Sequence, residues 1–203
     1  MAPAAAAWVA AAACLLAACA PGQPAERRAG AAQLMGELMS GRHQIGAPFV
    51  LEDPDGRRIA LGDFKGQLIL LYFGFTTCPD VCPTDLALIA QALRALGPRE
   101  KEVQPLFITL DPQRDSPAVL REYAAAFHPR FVALTGSEGE IRRIANDYKV
   151  FFEKVQLPGR DAYTIDHTAY TFLLDRDGKF VILFPPGTPS ERIEEILREQ
   201  LSG

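Results

Sequence analysis

From about residue 45 onward, apolar and polar positions fall into two alternating periods. The segment "LILLYFGF" (68–75) is an unbroken apolar, β-rich run of the kind buried on both faces of a sheet. "VQPLFITL" (103–110) predicts a second buried strand and "FVALTG" (131–136) a third strand. Between them the period becomes helical. Leu86, Ile89, Leu93 and Leu96 share one helical face behind Pro83, which suits a first helical position. "SPAVLREYAAAF" (116–127) predicts a helix capped by Ser116 with Pro117 at its first position. "SEGEIRRIANDYKV" (137–150) predicts another, opened by a capping box from Ser137 to Glu140. Near the start, "PFVLEDPDGRRIAL" (48–61) predicts a hairpin around Pro54-Asp55-Gly56. At the end, "HTAYTFLLDRDGKFVILF" (167–184) predicts a hairpin turning at Arg176-Asp177-Gly178, followed by a helix over about 190–201.

These elements add up to an α/β domain over 45–203, with a parallel βαβ core, a terminal β-hairpin and helix, and an N-terminal β-hairpin. That is the order of a thioredoxin-like fold. Residues 19–44 are rich in Ala, Gly, Pro and Arg without strong periodicity, and read as a tether with a short helix over 33–39. Fully extended, such a tether reaches on the order of 80 Å.

The first residues have a different character. The chain is apolar and alanine-rich from Ala4 to Ala20, and Leu16-Ala17-Ala18-Cys19 resembles a bacterial lipobox. Residues 1–18 are therefore expected to be a signal peptide of the lipoprotein type, with Cys19 acylated as the new N-terminal residue. Arg27 and Arg28 follow the apolar run and no Lys or Arg precedes it, the reverse of a signal n-region. The cysteine-terminated box nonetheless favours export and attachment at the periplasmic side of a bacterial cell envelope over a plain anchor. Residues 1–18 carry no charge, so the net charge of −4 belongs to the rest of the chain. A weakly acidic protein with 23% charged residues has no basic stripe for nucleic acid.

Of the four cysteines, Cys14 and Cys19 belong to the N-terminus, which leaves Cys78 and Cys82 in the domain. Each precedes a proline, which disfavours the α region and predicts that the pair lies in a loop leading into a helix. Backbone N–H groups and the dipole at a helix N-terminus favour thiolate, the form that attacks disulfides and binds metal. Spacing does not choose between these roles. Regular i,i+4 spacing separates Cβ atoms by about 5–6 Å, beyond the roughly 3.5–4.5 Å of a disulfide, but a loop can close that gap.

Three histidines accompany them. His43 falls in the tether, and His128 ends a helix, where a surface or helix-terminus role is expected. His167, in "YTIDHTAY", stands just before the last hairpin, on the sheet edge that carries the cysteine loop. With two thiolates it completes a Cys2His set. Thiolates select Cu(I), zinc or iron–sulfur chemistry, and imidazole suits Cu(II), so such a set can hold copper in both oxidation states. A structural zinc site wants a fourth ligand, and no further cysteine is available in the domain.

"FGFTTCPDVCPTDL" (73–86), "ITLDPQRDSP" (108–117) and "DHTAYTFLLDRDGKF" (166–180), in this order and spacing, resemble the Sco/SenC family of copper-binding, thioredoxin-fold proteins involved in assembling cytochrome c oxidase. The resemblance implies that Cys78, Cys82 and His167 are ligands to Cu(I) and Cu(II). It implies that Cys78 and Cys82 form a redox-active pair. It further implies that the acceptor is the copper A centre of cytochrome c oxidase subunit II, with other copper chaperones as exchange partners. Asp80, Asp111, Asp115 and Asp166 match acidic positions of the motifs, and as loop carboxylates they are expected to be solvated or capping.

The competing class is a membrane-attached thiol–disulfide oxidoreductase. Thioredoxins carry a proline facing the cysteines, and here Tyr170 stands at that place. A peroxidase fits less well, because Leu71 stands where the peroxiredoxin pattern has proline. A purely structural disulfide explains neither the two prolines nor His167. Copper transfer and thiol reduction are compatible, because an acceptor dithiol must be reduced before it takes the ion.

Overall fold

The computed structural model describes residues 45–159 and 161–202. The expected signal segment, Cys19, the tether and His43 lie outside the described residues. Among the described residues no helix is long and apolar enough to cross a membrane.

A short antiparallel pair comes first, β1 (Val50–Glu52) and β2 (Arg58–Ala60), joined by the turn expected at 54–56. The central sheet is built from β3 (Leu68–Gly74), β4 (Val103–Thr109), β5 (Val132–Leu134), β8 (Thr171–Leu174) and β9 (Phe180–Phe184), in the order β5-β4-β3-β8-β9. β3, β4 and β5 run parallel, β8 joins β3 antiparallel, and β9 joins β8 antiparallel at the sheet's edge. A separate antiparallel hairpin, β6 (Phe152–Gln156) and β7 (Tyr163–His167), stands between β5 and β8 in the chain. The helices are α1 (Val81–Ala95), α2 (Pro117–Phe127), α3 (Glu138–Asp147) and α4 (Ser190–Ser202).

The local rules hold where the period is strong. Every residue of β3 and β4 is buried, Gln104 and Thr109 included, as expected of strands covered on both faces. Successive strand side chains point to opposite faces, so Tyr72 and Phe73 build two separate aromatic clusters. Tyr72 stacks on Phe107, which contacts Tyr123, while Phe73 meets Tyr148 and Phe172 on the other face. Ser116 caps α2 through the Val119 N–H with Pro117 at the first turn, and Ser137 and Glu140 close the expected box on α3. The last hairpin turns on Gly178, whose φ of 78° suits glycine, and the Asp175 carboxylate accepts from the N–H groups of Asp177 and Lys179.

Three local readings are corrected. α1 begins at Val81, two residues before Pro83, so Cys82 lies in the first helical turn and not in the loop. The first turn has no intrahelical use for its N–H groups, so proline fits there without costing a bond. His128 caps the end of α2 but is buried. Its Nε2 lies 3.4 Å from the Glu100 carboxylate and its Nδ1 accepts from the Arg130 N–H. Asp111 and Asp115 are buried, because each has donors from distant segments.

Candidate metal centre

The cysteine loop leaves the C-terminal end of β3, the central parallel strand, where ligand sites of α/β sheets collect. The Cys78 N–H donates to the Phe75 carbonyl (3.2 Å), and Asp80 precedes the helix without a side-chain cap. The first turn of α1 therefore leaves its N–H groups free for another acceptor. Cys78 takes that place, its Sγ accepting from the Cys82 N–H at 3.5 Å. The two cysteines are free thiols, Cys78 half-buried and Cys82 fully buried.

Their environments drive the two thiols apart. The neighbouring Cys82 thiol, followed by the N–H groups of Asp80, Cys82 and Val81, brings Cys78 down to about 6 against the opposing effect of burial. The hydrogen bond given to the Cys78 thiolate, together with burial, pushes Cys82 far up. Behind Cys82 lies a tightly filled wall. A Cβ added to Gly74 would fall 2.9 Å from Cys82 Sγ, 2.9 Å from Tyr72 Cε1 and 3.1 Å from Phe107 Cε2, so only glycine fits. The Tyr72 hydroxyl donates to Asp85 (3.3 Å), whose other oxygen accepts from the Gly187 N–H (2.7 Å). Burial raises the Asp85 carboxyl above the usual carboxylate range.

His167 arrives from the other side, as the last residue of β7. Its Nε2 is 3.6 Å from Cys82 Sγ and its ring stands edge-on to Phe75, with centroids 5.6 Å apart. Burial pushes the imidazole below its usual value, and the Ile165 backbone and the Asp166 charge only partly oppose this. A neutral ring keeps the lone pair that a metal ligand needs. Among the described residues no three His, Cys, Asp or Glu side chains form a ready-made cage for an ion. Instead Cys82 and His167 are already adjacent, and Cys78 lies within hydrogen-bonding reach of Cys82. Two soft donors and one imidazole are a combination suited to copper.

Of the acidic positions in the motifs, Asp80 and Asp166 are exposed. Asp115 accepts from the Thr76 N–H (3.1 Å), the Thr76 hydroxyl (2.6 Å) and the Thr109 hydroxyl (2.5 Å). Asp111 accepts from the Tyr163 hydroxyl (2.8 Å) and pairs with Arg114. The sequence reading missed Tyr72, Gly74, Thr76, Arg114 and Tyr163. Gly74 alone carried a local signal, as a glycine at the end of a buried strand.

His167 does not share a sheet edge with the cysteine loop, since β7 lies in its own two-stranded sheet. A thioredoxin-like domain carrying a dithiol and an imidazole beyond the end of its central strand is the class that the fold and site define. The SCO1/SenC family model matches residues 38–202, and the chain belongs to that family. It is 40% identical over 156 residues to an SCO2-like protein of Rickettsia felis, covering 76% of each chain. It also matches the structure of Bradyrhizobium japonicum ScoI with copper bound, at 40% identity and a TM-score of 0.71, covering 77% of this chain and 99% of that one. A third match is BsSco, a member of the Sco family of cytochrome c oxidase assembly proteins in which a disulfide switch was identified. It has 25% identity and a TM-score of 0.60, covering 78% of this chain and 94% of that one.

Proposed function

We propose that this protein is a membrane-attached copper chaperone. In this reading Cys78, Cys82 and His167 hold copper as cargo and hand it to the copper A centre of cytochrome c oxidase subunit II. The observation that carries the reading is the 3.6 Å approach of Cys82 Sγ to His167 Nε2, which joins the two halves of a Cys2His donor set. The copper bound by the Bradyrhizobium relative supports it. Cu(I) rests on the two thiolates with the imidazole beside them, and an acceptor thiolate enters at the half-exposed Cys78 side. A low coordination number lets the ion pass through a shared-ligand intermediate. Other copper chaperones would load the site by the same exchange.

The N-terminal reading belongs to the same proposal. Residues 1–18 are a signal peptide, Cys19 is acylated, 19–44 form the tether, and the domain works on the periplasmic side of the bacterial envelope. Mass spectrometry of the mature chain should find acylated Cys19 at the N-terminus, and an intact N-terminus with unmodified Cys19 would replace the lipid by an uncleaved anchor.

A second reading has its own observation. A half-exposed Cys78 near pKa 6 beside a buried, high-pKa Cys82 is the pairing of an attacking and a resolving thiol, so the protein would reduce the acceptor's disulfide. His167 separates the two, because a dithiol reductase does not need it. Under copper limitation, His167→Ala cells should lose oxidase activity and regain part of it with added copper. Full oxidase activity in His167→Ala cells, with loss in Cys78→Ser cells, would install the reductase reading instead.

A further inference from the structure

The cysteine loop and the histidine hairpin come from separate parts of the chain, and one loop holds both. Residues 110–116 connect β4 to α2. The Leu110 N–H donates to the Gly74 carbonyl (2.7 Å), and the loop is folded on itself by the N–H groups of Arg114 (3.1 Å) and Asp115 (2.9 Å) on the Asp111 carbonyl. On one side Asp115 holds the cysteine loop through both donors of Thr76, two residues before Cys78. On the other side the loop grips the hairpin by both strands. Arg114 Nη1 donates to the Tyr163 carbonyl (2.8 Å) and its guanidinium carbon lies 3.8 Å from the centre of the Tyr163 ring. The Tyr163 hydroxyl reaches Asp111, and Lys154 of β6 donates to Gln113 (3.0 Å).

Tyr163 and His167 are the first and last residues of β7. β7 belongs to a two-stranded sheet outside the central one, so no ladder hydrogen bond to β3 or β8 fixes its height over the cysteines. Two-stranded hairpins are marginal by themselves and take their position from what they pack on. We infer that loop 110–116 is a bracket that sets the spacing between the thiol half and the imidazole half of the site, with Arg114 and Tyr163 as positioning residues for His167.

The inference rests on the copper reading for its consequence but not for its geometry. Loosening the grip on Tyr163 should move His167 and leave the cysteines where α1 and Asp115 hold them. Cu(II), which needs the imidazole, should then suffer more than Cu(I), which two thiolates can hold. Removing groups that orient a metal ligand typically costs about 10–100-fold in affinity.

The test uses the full-length reduced chain in detergent with Tyr163→Phe, Arg114→Gln and His167→Ala variants. Tyr163→Phe keeps the ring under Arg114 and removes only the bond to Asp111, so it serves if Arg114→Gln fails to fold. In the metal-free chain the backbone amides of residues 164–167 should exchange faster in both bracket variants. Cu(II) affinity should fall, by about 10–100-fold in Arg114→Gln, with a shifted thiolate-to-copper band and a smaller change for Cu(I). Unchanged exchange with an unchanged band in folded variants overturns the bracket, as does an equal loss of Cu(I) and Cu(II). His167→Ala is the separate control. If it leaves the Cu(II) band intact the copper reading fails, while the metal-free exchange still decides the bracket.

Discussion

His167 Nε2 stands 3.6 Å from Cys82 Sγ although 85 positions of chain separate the two residues. Their closeness is not written in local sequence. Cys82 is fixed by the first turn of α1 against Gly74 and Tyr72, and His167 by a hairpin that lies outside the central sheet. Their meeting places an imidazole nitrogen beside a dithiol at a helix terminus.

The contrast between the thiols is expected in their chemistry. In the reduced chain at pH 7, iodoacetamide should modify Cys78 well before Cys82, because only the thiolate reacts and only Cys78 is both ionised and partly exposed. Cys78 loses its proton as pH rises through about 6, so its rate should climb across that value and level off above pH 7. Peptide mapping by mass spectrometry reads both sites. Preferential labelling of Cys82, or a Cys78 rate still rising steeply at pH 8, would contradict this ordering.

Gly74 is the tightest point behind the site. Gly74→Ala brings a methyl group to 2.9 Å from Cys82 Sγ and from the Tyr72 ring, so something must shift. We expect a loss of about 1–3 kcal/mol in denaturant unfolding, as for other overpacked cores. Copper affinity should fall with it, because Cys82 Sγ is one of the two atoms the methyl group meets at 2.9 Å. Wild-type stability and affinity in this variant would mean that the wall is softer than described.

The sequence revealed those elements whose pattern is local. The buried runs of β3 and β4, the caps at Ser116 and Ser137 and the Gly178 turn each follow from a few adjacent residues. Proline is tolerated anywhere in a first turn, so Pro83 marks the start of α1 only loosely. The β6–β7 hairpin has a weak local signal, because "FEKVQ" buries one residue and exposes four, without the alternation of a half-buried strand. Of the site, the ligand candidates Cys78, Cys82 and His167 were legible as residue types, and the resemblance to one family set them together. The burial of Asp111 and Asp115 was not, since their partners Tyr163 and Thr76 lie 52 and 39 positions away.

Copper titration of the full-length reduced chain, wild type against Cys78→Ser, Cys82→Ser and His167→Ala, tests the central claim most directly. One copper per chain should bind, and both serine variants should lose tight binding of either oxidation state. His167→Ala should weaken Cu(II) and alter its thiolate-to-copper absorption band while retaining more of the Cu(I) affinity. Undiminished Cu(II) affinity and an unchanged band in His167→Ala would remove the imidazole from the site and contradict the account.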